Sequence, residues 1–132
     1  MLNDANATPV LTSFGDGFKT LIFGGMGAIG RALSDAVVQQ ANAGPLVTTS
    51  RSAGSFAASA QHFACDVSDE ASIAGVAAAV AVMPPFDLVI NATGLLHDET
   101  IGVQPEKALR YVSADAMARV MSVNAIGPAL IM

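Results

Sequence analysis

Three glycines, Gly25, Gly27 and Gly30, stand at the spacing G-x-G-x-x-G, with Gly24 directly before them. Glycines so placed can cradle a phosphate. Without a Cβ the main chain approaches the anion closely, and a helix that begins there adds unpaired N–H groups and a partial positive charge. The spacing is the dinucleotide-binding fingerprint, provided that a strand precedes the turn and a helix follows it.

Two further groups stand where such a ligand would be read. Arg51 lies roughly 20 residues beyond the last glycine, at the position that meets the adenosine ribose in dinucleotide folds. An acid there accepts from the 2′-OH and selects NAD. A guanidinium can pair bidentately with a 2′-phosphate and select NADP. Thr49, Ser50 and Ser52 can add hydroxyl contacts. Asp66 follows a strand at its carboxyl end, where ligands bind in open α/β sheets. It can accept from an adenine amino group, or it can cap a helix beside Ser68. The small turn from Asn91 through Ala92 and Thr93 to Gly94 ends another strand on the same rim.

The elements that must position these groups follow from pattern. Residues 19–23 read as a first strand and 28–42 as a first helix, with Ile29, Leu33, Ala36, Val37 and Gln40 on its sheet face and Gly44-Pro45 ending it. Residues 46–50 are a β-branched second strand. Residues 52–60 read as a loop and 61–65 as a third strand. A helix capped by Ser68 runs to Met83, where Pro84-Pro85 stops it. Residues 86–91 form a fourth strand and 95–112 are irregular. Ser113 caps a final helix that Gly127-Pro128 kinks. Alternating strands and helices predict an α/β fold, a parallel sheet with helices on both faces. Residues 1–18 read as an N-terminal tail and 19–132 as one domain.

Composition bounds the function. With 132 residues, 52% hydrophobic and 13% charged, the chain suits one buried core. A net charge of -5 and no Lys/Arg cluster argue against a nucleic-acid partner. The longest apolar run, residues 73–83, is too short for a bilayer, so no membrane partner is expected. No basic segment precedes an apolar run at the N-terminus, so no signal peptide is expected. The single Cys65 permits no internal disulfide, and a cytoplasmic setting is the expectation. His62 and His97 lack metal-ligand spacing, so no metal is expected. Cys65 reads as a small buried hydrophobe, and Met117 and Met121 as core or interface.

The stretches 49–52, 65–67, 87–97 and 123–128 occur in an order and at a spacing that resemble the short-chain dehydrogenase/reductase family, within it the C-factor-like bacterial members. The resemblance covers residues 19–132. It implies a Rossmann-like doubly wound parallel sheet of strand order 3-2-1-4, truncated here after the fourth strand and the helix that follows, and thus the N-terminal portion of such a protein. It implies an NAD(P)-dependent oxidoreductase acting on a small carbonyl or alcohol, and Arg51 makes NADP the preferred cofactor, with NAD possible. The alternative is a non-catalytic nucleotide-binding or signalling module.

Residue by residue, the family's glycines fall on Gly24, Gly27 and Gly30. Gly25, Met26, Ile29, Ser50, Arg51 and Val67 join them around the cofactor. Asp66 becomes the adenine reader, and Asn91, Ala92, Thr93 and Gly94 the rim turn. Asn124 matches the asparagine that shapes the catalytic helix and holds a relay water. The family's Ser and Tyr-x-x-x-Lys have no counterpart: Tyr111 is followed four residues later by Asp115, and Lys107 precedes it at the reverse spacing. The resemblance therefore implies a chain that holds cofactor without turning over, and that pairs, if at all, as a homo-oligomer through the final helix.

Overall fold

The computed structural model describes residues 11–52, 60–105 and 108–132. Most of the expected tail, most of the 52–60 loop and Lys107 lie outside these. Four parallel strands form one sheet in the order β3-β2-β1-β4: β1 (Phe18–Phe23), β2 (Ala43–Ser50), β3 (Ala60–Ala64) and β4 (Leu88–Asn91). The helices are α1 (Ala28–Val38), α2 (Glu70–Val80), α3 (Ala114–Met121) and α4 (Gly127–Ile131), with a π-helical turn, Ser122–Ile126, joining the last two.

Strands β1, β2 and β3 split their side chains between two cores, and β4 adds Leu88 and Ile90 to one of them. Phe18 and Ile22 of β1 join Leu46 and Val37, with Leu33 against them. Leu21 and Phe23 join Val47, Cys65, Val67, Ile73 and Val76, with Val123 and Ile131 against them. Central β1 is therefore covered on both faces. Burying one such side chain contributes roughly 1.5–3 kcal/mol. A salt bridge of 3.0 Å from Lys19 to Asp87, with the Lys19 amide donating to the same carboxylate oxygen at 2.7 Å, registers the start of β1 against the segment entering β4.

Several boundaries differ from expectation. Helix α1 stops at Val38, and Gly44 and Pro45 lie inside β2 rather than ending the helix. The β1–β2 register shifts between Phe18 and Thr20, a bulge that tolerates a proline lacking its N–H. A Cβ on Gly44 would fall 2.2 Å from the Gly17 carbonyl oxygen, so only glycine fits there. The Asn42 side chain donates to the carbonyls of Leu11 and Phe14, tying residues 11–14 to the body. The buried face of α1 is Gly30, Leu33, Ser34 and Val37, one residue round from the expected stripe; Ile29 is 70% exposed. Small Gly30 and Ser34 allow a close approach to the sheet that the Ile29 side would not.

Helix α2 is capped by Asp69, whose carboxylate accepts from the Ala71 amide at 3.0 Å, and not by Ser68; it ends at Val80, before Met83. Strand β3 spans 60–64, one residue earlier than expected, and β4 begins at Leu88. The irregular 95–112 stretch contains two 3-10 turns, Glu99–Ile101 and Leu109–Tyr111, and a bridge between Asp98 and Val103. Ser113 caps α3 as expected. The last helix is interrupted before Gly127, at the π-turn. Pro128 has no N–H to give the turn behind it, and its ring crowds the carbonyl four residues back, so the backbone widens there. Among the described residues no helix is long and apolar enough to cross a membrane.

The exposed helix interior around Gly75 is open, whereas a Cβ on Gly127 would lie 2.4 Å from the Val67 carbonyl oxygen. Gly75→Ala is expected to raise stability by about 0.5–1 kcal/mol. Gly127→Ala is expected to lower it by about 1–3 kcal/mol through overpacking. Urea denaturation midpoints at equal m-value measure both.

Candidate functional site

At the carboxyl end of β1 the chain must leave the sheet within a few residues. Gly24 takes φ +81, a left-handed conformation open to glycine. A Cβ on it would sit 2.8 Å from the Ala92 carbonyl oxygen, because the exits of β1 and β4 stay close there: the Ala92 amide still donates to the Phe23 carbonyl at 2.8 Å. The amides of Gly24 and Gly25 both donate to the Thr49 carbonyl, at 2.9 and 2.8 Å, which ties the turn to β2. Gly27 is the N-cap of α1, and its amide donates to the Gly24 carbonyl at 3.1 Å. Gly30, one turn into the helix, leaves room for Gly24: a Cβ there would lie 2.1 Å from the Gly24 oxygen. The left-handed residue is Gly24, so the triplet that shapes this turn is Gly24, Gly27 and Gly30.

Geometry leaves the turn suited to an anion. The amides of Ala28, Ile29 and Gly30 have no acceptor inside the helix, and Gly27 carries no side chain to supply one. A Cβ on Gly27 would meet nothing nearer than the Gly24 oxygen at 3.5 Å. Space beside it opens into a cleft of about 690 Å³ along the carboxyl ends of all four strands. The cleft lies where the strand order reverses, between β1 and β4, the position at which open α/β sheets take ligands.

Ten of the expected cofactor residues line this cleft: Gly24, Met26 and Gly27 after β1, Ser50 at the end of β2 and Arg51 after it, Asp66 and Val67 after β3, and Ala92, Thr93 and Gly94 after β4. Gly25 and Gly30 are buried behind the turn. Ile29 stands in solvent. Asn91 does not line the cleft; its carboxamide oxygen accepts from the amide and hydroxyl of Thr93, at 3.1 and 2.6 Å, and so shapes the rim turn.

Asn124 lies in the π-turn behind the rim. Its oxygen accepts from the Leu95 amide at 2.7 Å and its nitrogen donates to the Leu95 carbonyl at 2.8 Å. Both polar atoms of the side chain thus clamp the backbone of the β4 exit.

Asp66 does not cap α2. Its Oδ1 accepts from the hydroxyl and amide of Ser68, at 2.6 and 2.9 Å. The Ser68 hydroxyl is the main reason that its carboxyl titrates below the usual range; partial burial opposes this, and the Ser68 amide and the Arg51 charge reinforce it. Arg51 is paired with Asp98 at 3.4 Å. Burial pushes the Cys65 thiol up, consistent with a packing role.

The cleft also recruits residues that motif reading passes over. Cys65 and Ser68 continue the exit of β3 and Leu95 that of β4, beside Ser52, already expected as a hydroxyl contact, after β2. Ala118, Arg119, Ser122 and Val123 wall the far side. Their i, i+1, i+4, i+5 spacing is one helical face, so periodicity held a signal; which face meets the cleft depends on where the helix docks. His62 bonds the hydroxyls of Thr48 at 2.9 Å and Ser50 at 3.0 Å and so braces the end of β2. Among the described residues no group of three His, Cys, Asp or Glu could hold a metal.

A sheet of this order with a glycine turn at its reversal is a Rossmann-like α/β domain. The KR domain family model matches residues 19–124, and the chain belongs to that family. No sequence relative was found among curated proteins. Solved structures of similar fold include an NADPH-bound carbonyl reductase from chicken fatty liver (TM-score 0.75, 19% identity, covering 89% of this chain and 46% of that one). Others are a 3-ketoacyl-(acyl-carrier-protein) reductase from Brucella melitensis complexed with NADH (0.68, 23%, 88% and 48%) and a short-chain dehydrogenase from Streptomyces avermitilis (0.72, 21%, 89% and 43%). The chain spans about half the length of these structures and corresponds to the N-terminal portion of a short-chain dehydrogenase/reductase.

Ser68→Ala is expected to move the Asp66 carboxyl titration upward, toward the ordinary value of about 3.9. A depressed native value means stability gained above the unfolded value and lost as pH falls through the native one, so the variant loses that contribution and unfolds at higher pH in acid. Carboxyl carbon NMR titration and an acid unfolding curve check this. Asn124→Ala is expected to leave the Leu95 amide unclamped and to speed its hydrogen exchange by about five- to tenfold, the worth of one hydrogen bond.

Proposed function

We propose that this chain is the cofactor-binding half of an NADP-preferring short-chain oxidoreductase acting on a carbonyl or alcohol. The observation that carries the reading is the glycine turn of Gly24, Gly27 and Gly30 opening onto a cleft with Arg51 at its rim. Two of the similar folds bind NADPH or NADH by their own descriptions, which supports a nicotinamide dinucleotide as the ligand class.

In this reading the pyrophosphate lies against the amides at the start of α1, where Gly27 leaves room for it. Met26 and Val67 supply apolar walls, and the Asp66 carboxylate, held ionised by Ser68, accepts from the adenine amino group. Arg51 and Ser50 meet the adenosine ribose, with the guanidinium on the 2′-phosphate. Ala92, Thr93 and Gly94 let the coenzyme run along bare backbone. The coenzyme, when bound, supplies or accepts the hydride. Asn124 is a positioning residue, fixing the rim through Leu95. No residue of this chain is assigned proton transfer, and binding without turnover is expected of it. A cytoplasmic setting and pairing of copies through the exposed Met117, Met121, Ile126 and Leu130 of the last helices belong to the same proposal.

One observation favours the second reading, a non-catalytic nucleotide-binding or signalling module. The lone tyrosine, Tyr111, sits in a 3-10 turn with its hydroxyl accepting from Arg110 at 3.1 Å, and is not set up for proton relay. Hydride transfer from NADPH to a simple carbonyl would exclude it.

Titration with NADPH is expected to shift the amide signals of residues 24–30. Arg51→Ala is expected to weaken NADPH by about tenfold, in line with a charged hydrogen bond, and to leave NADH within about twofold. Amide signals unmoved by either coenzyme in a folded sample would overturn the proposal.

A further inference from the structure

We infer that Asp98 is a specificity-determining residue, whose carboxylate competes with a 2′-phosphate for the Arg51 guanidinium. This rests on the reading of Arg51 given above. Asp98 comes from the 95–112 stretch, far from Arg51 in sequence, and its Oδ2 lies 3.4 Å from Nη1 of Arg51. The two partners differ in freedom. Oδ1 of Asp98 accepts from the amide and hydroxyl of Thr100. Its backbone exchanges hydrogen bonds with Val103, at 2.7 and 2.9 Å, and Val103 is 1% exposed. The carboxylate is therefore fixed and only 13% exposed, whereas the Arg51 side chain is 71% exposed.

A phosphate monoester brings about -1.5 to -2 charges. To pair with Nη1 of the guanidinium it must take the place of the Asp98 oxygen, and the Asp66 carboxylate, which also interacts with Arg51 and lines the cleft, adds negative potential there. A 2′-hydroxyl carries no charge and meets no such opposition. Asp98 therefore penalises the phosphorylated coenzyme alone, and the Arg51 preference for NADP is a difference between two anions bidding for one cation.

The test uses the full chain and Asp98→Asn, in which the amide oxygen still accepts from Thr100 while the charge is gone. Coenzyme fluorescence titrations with NADPH and NADH at low salt are compared. Asp98→Asn is expected to tighten NADPH by about two- to fivefold, the range of an exposed ion pair, with NADH unchanged, and the gain should vanish in an Arg51→Ala background. Asp98→Ser, which also keeps an acceptor for the Thr100 amide, serves should the asparagine variant not fold. Equal changes for both coenzymes, or a gain that survives loss of Arg51, would overturn the inference. If the wild-type chain binds NADPH through Arg51 but the Asp98 variants match it, only this inference falls. If the wild-type chain binds neither coenzyme, the reading of the cleft falls and this inference with it.

Discussion

Everything at the cleft depends on the closeness of three backbone segments at the end of β1. The Gly24 carbonyl is wedged beneath the first turn of α1, where a side chain on Gly30 would strike it at 2.1 Å, and the Gly24 Cα faces the Ala92 carbonyl across the sheet. Contacts of this kind exclude a Cβ altogether, so they act as hard constraints rather than preferences. They bring the helix amides to the strand end and leave the anion-binding geometry as a by-product of packing.

The rest of the rim is built from local turns that aim polar groups without large burial. Asp66 with Ser68, Asn91 with Thr93, and Asp98 with Thr100 are the same device: a short side chain accepts from the amide and hydroxyl two residues on. The first two fix the exits of β3 and β4, and the third caps the 3-10 turn in the stretch that follows β4. Two of them set carboxylates, those of Asp66 and Asp98, to interact with Arg51, so the one guanidinium expected to read the ribose stands in a negative field. The chain's net charge of -5 is thus felt locally at the cleft and not only as a bulk property.

The far wall is set by a different constraint. Gly127 packs on the Val67 carbonyl, and Pro128 breaks the helix ladder just before that contact. The π-turn that precedes both absorbs the mismatch and carries Asn124 to Leu95. One distortion therefore ties the last helix both to the β3 exit, beside Asp66, and to the β4 exit, beside Gly94. Irregular helix geometry at a site is a common consequence of such double docking.

Parallel pairing and the strand-turn-helix at the glycines were legible in the residues, because buried parallel strands are continuous apolar runs and glycine spacing reports backbone sterics directly; the strand order came only from the resemblance to a known family. Ten of the expected cofactor residues do meet in one cleft, since strand ends converge wherever the sheet order reverses. Local pattern could not assign Gly44-Pro45 to a bulged strand, move the α1 face off Ile29, or give the α2 cap to Asp69, for each is decided by a segment distant in sequence or by competition between adjacent acceptors. Nor could it pair Arg51 with Asp98. A chain of residues determines which side chains can bear charge and which turns they can form; only the folded arrangement decides which charges stand within a few ångströms of one another, because Coulomb energy depends on separation in space and not along the chain.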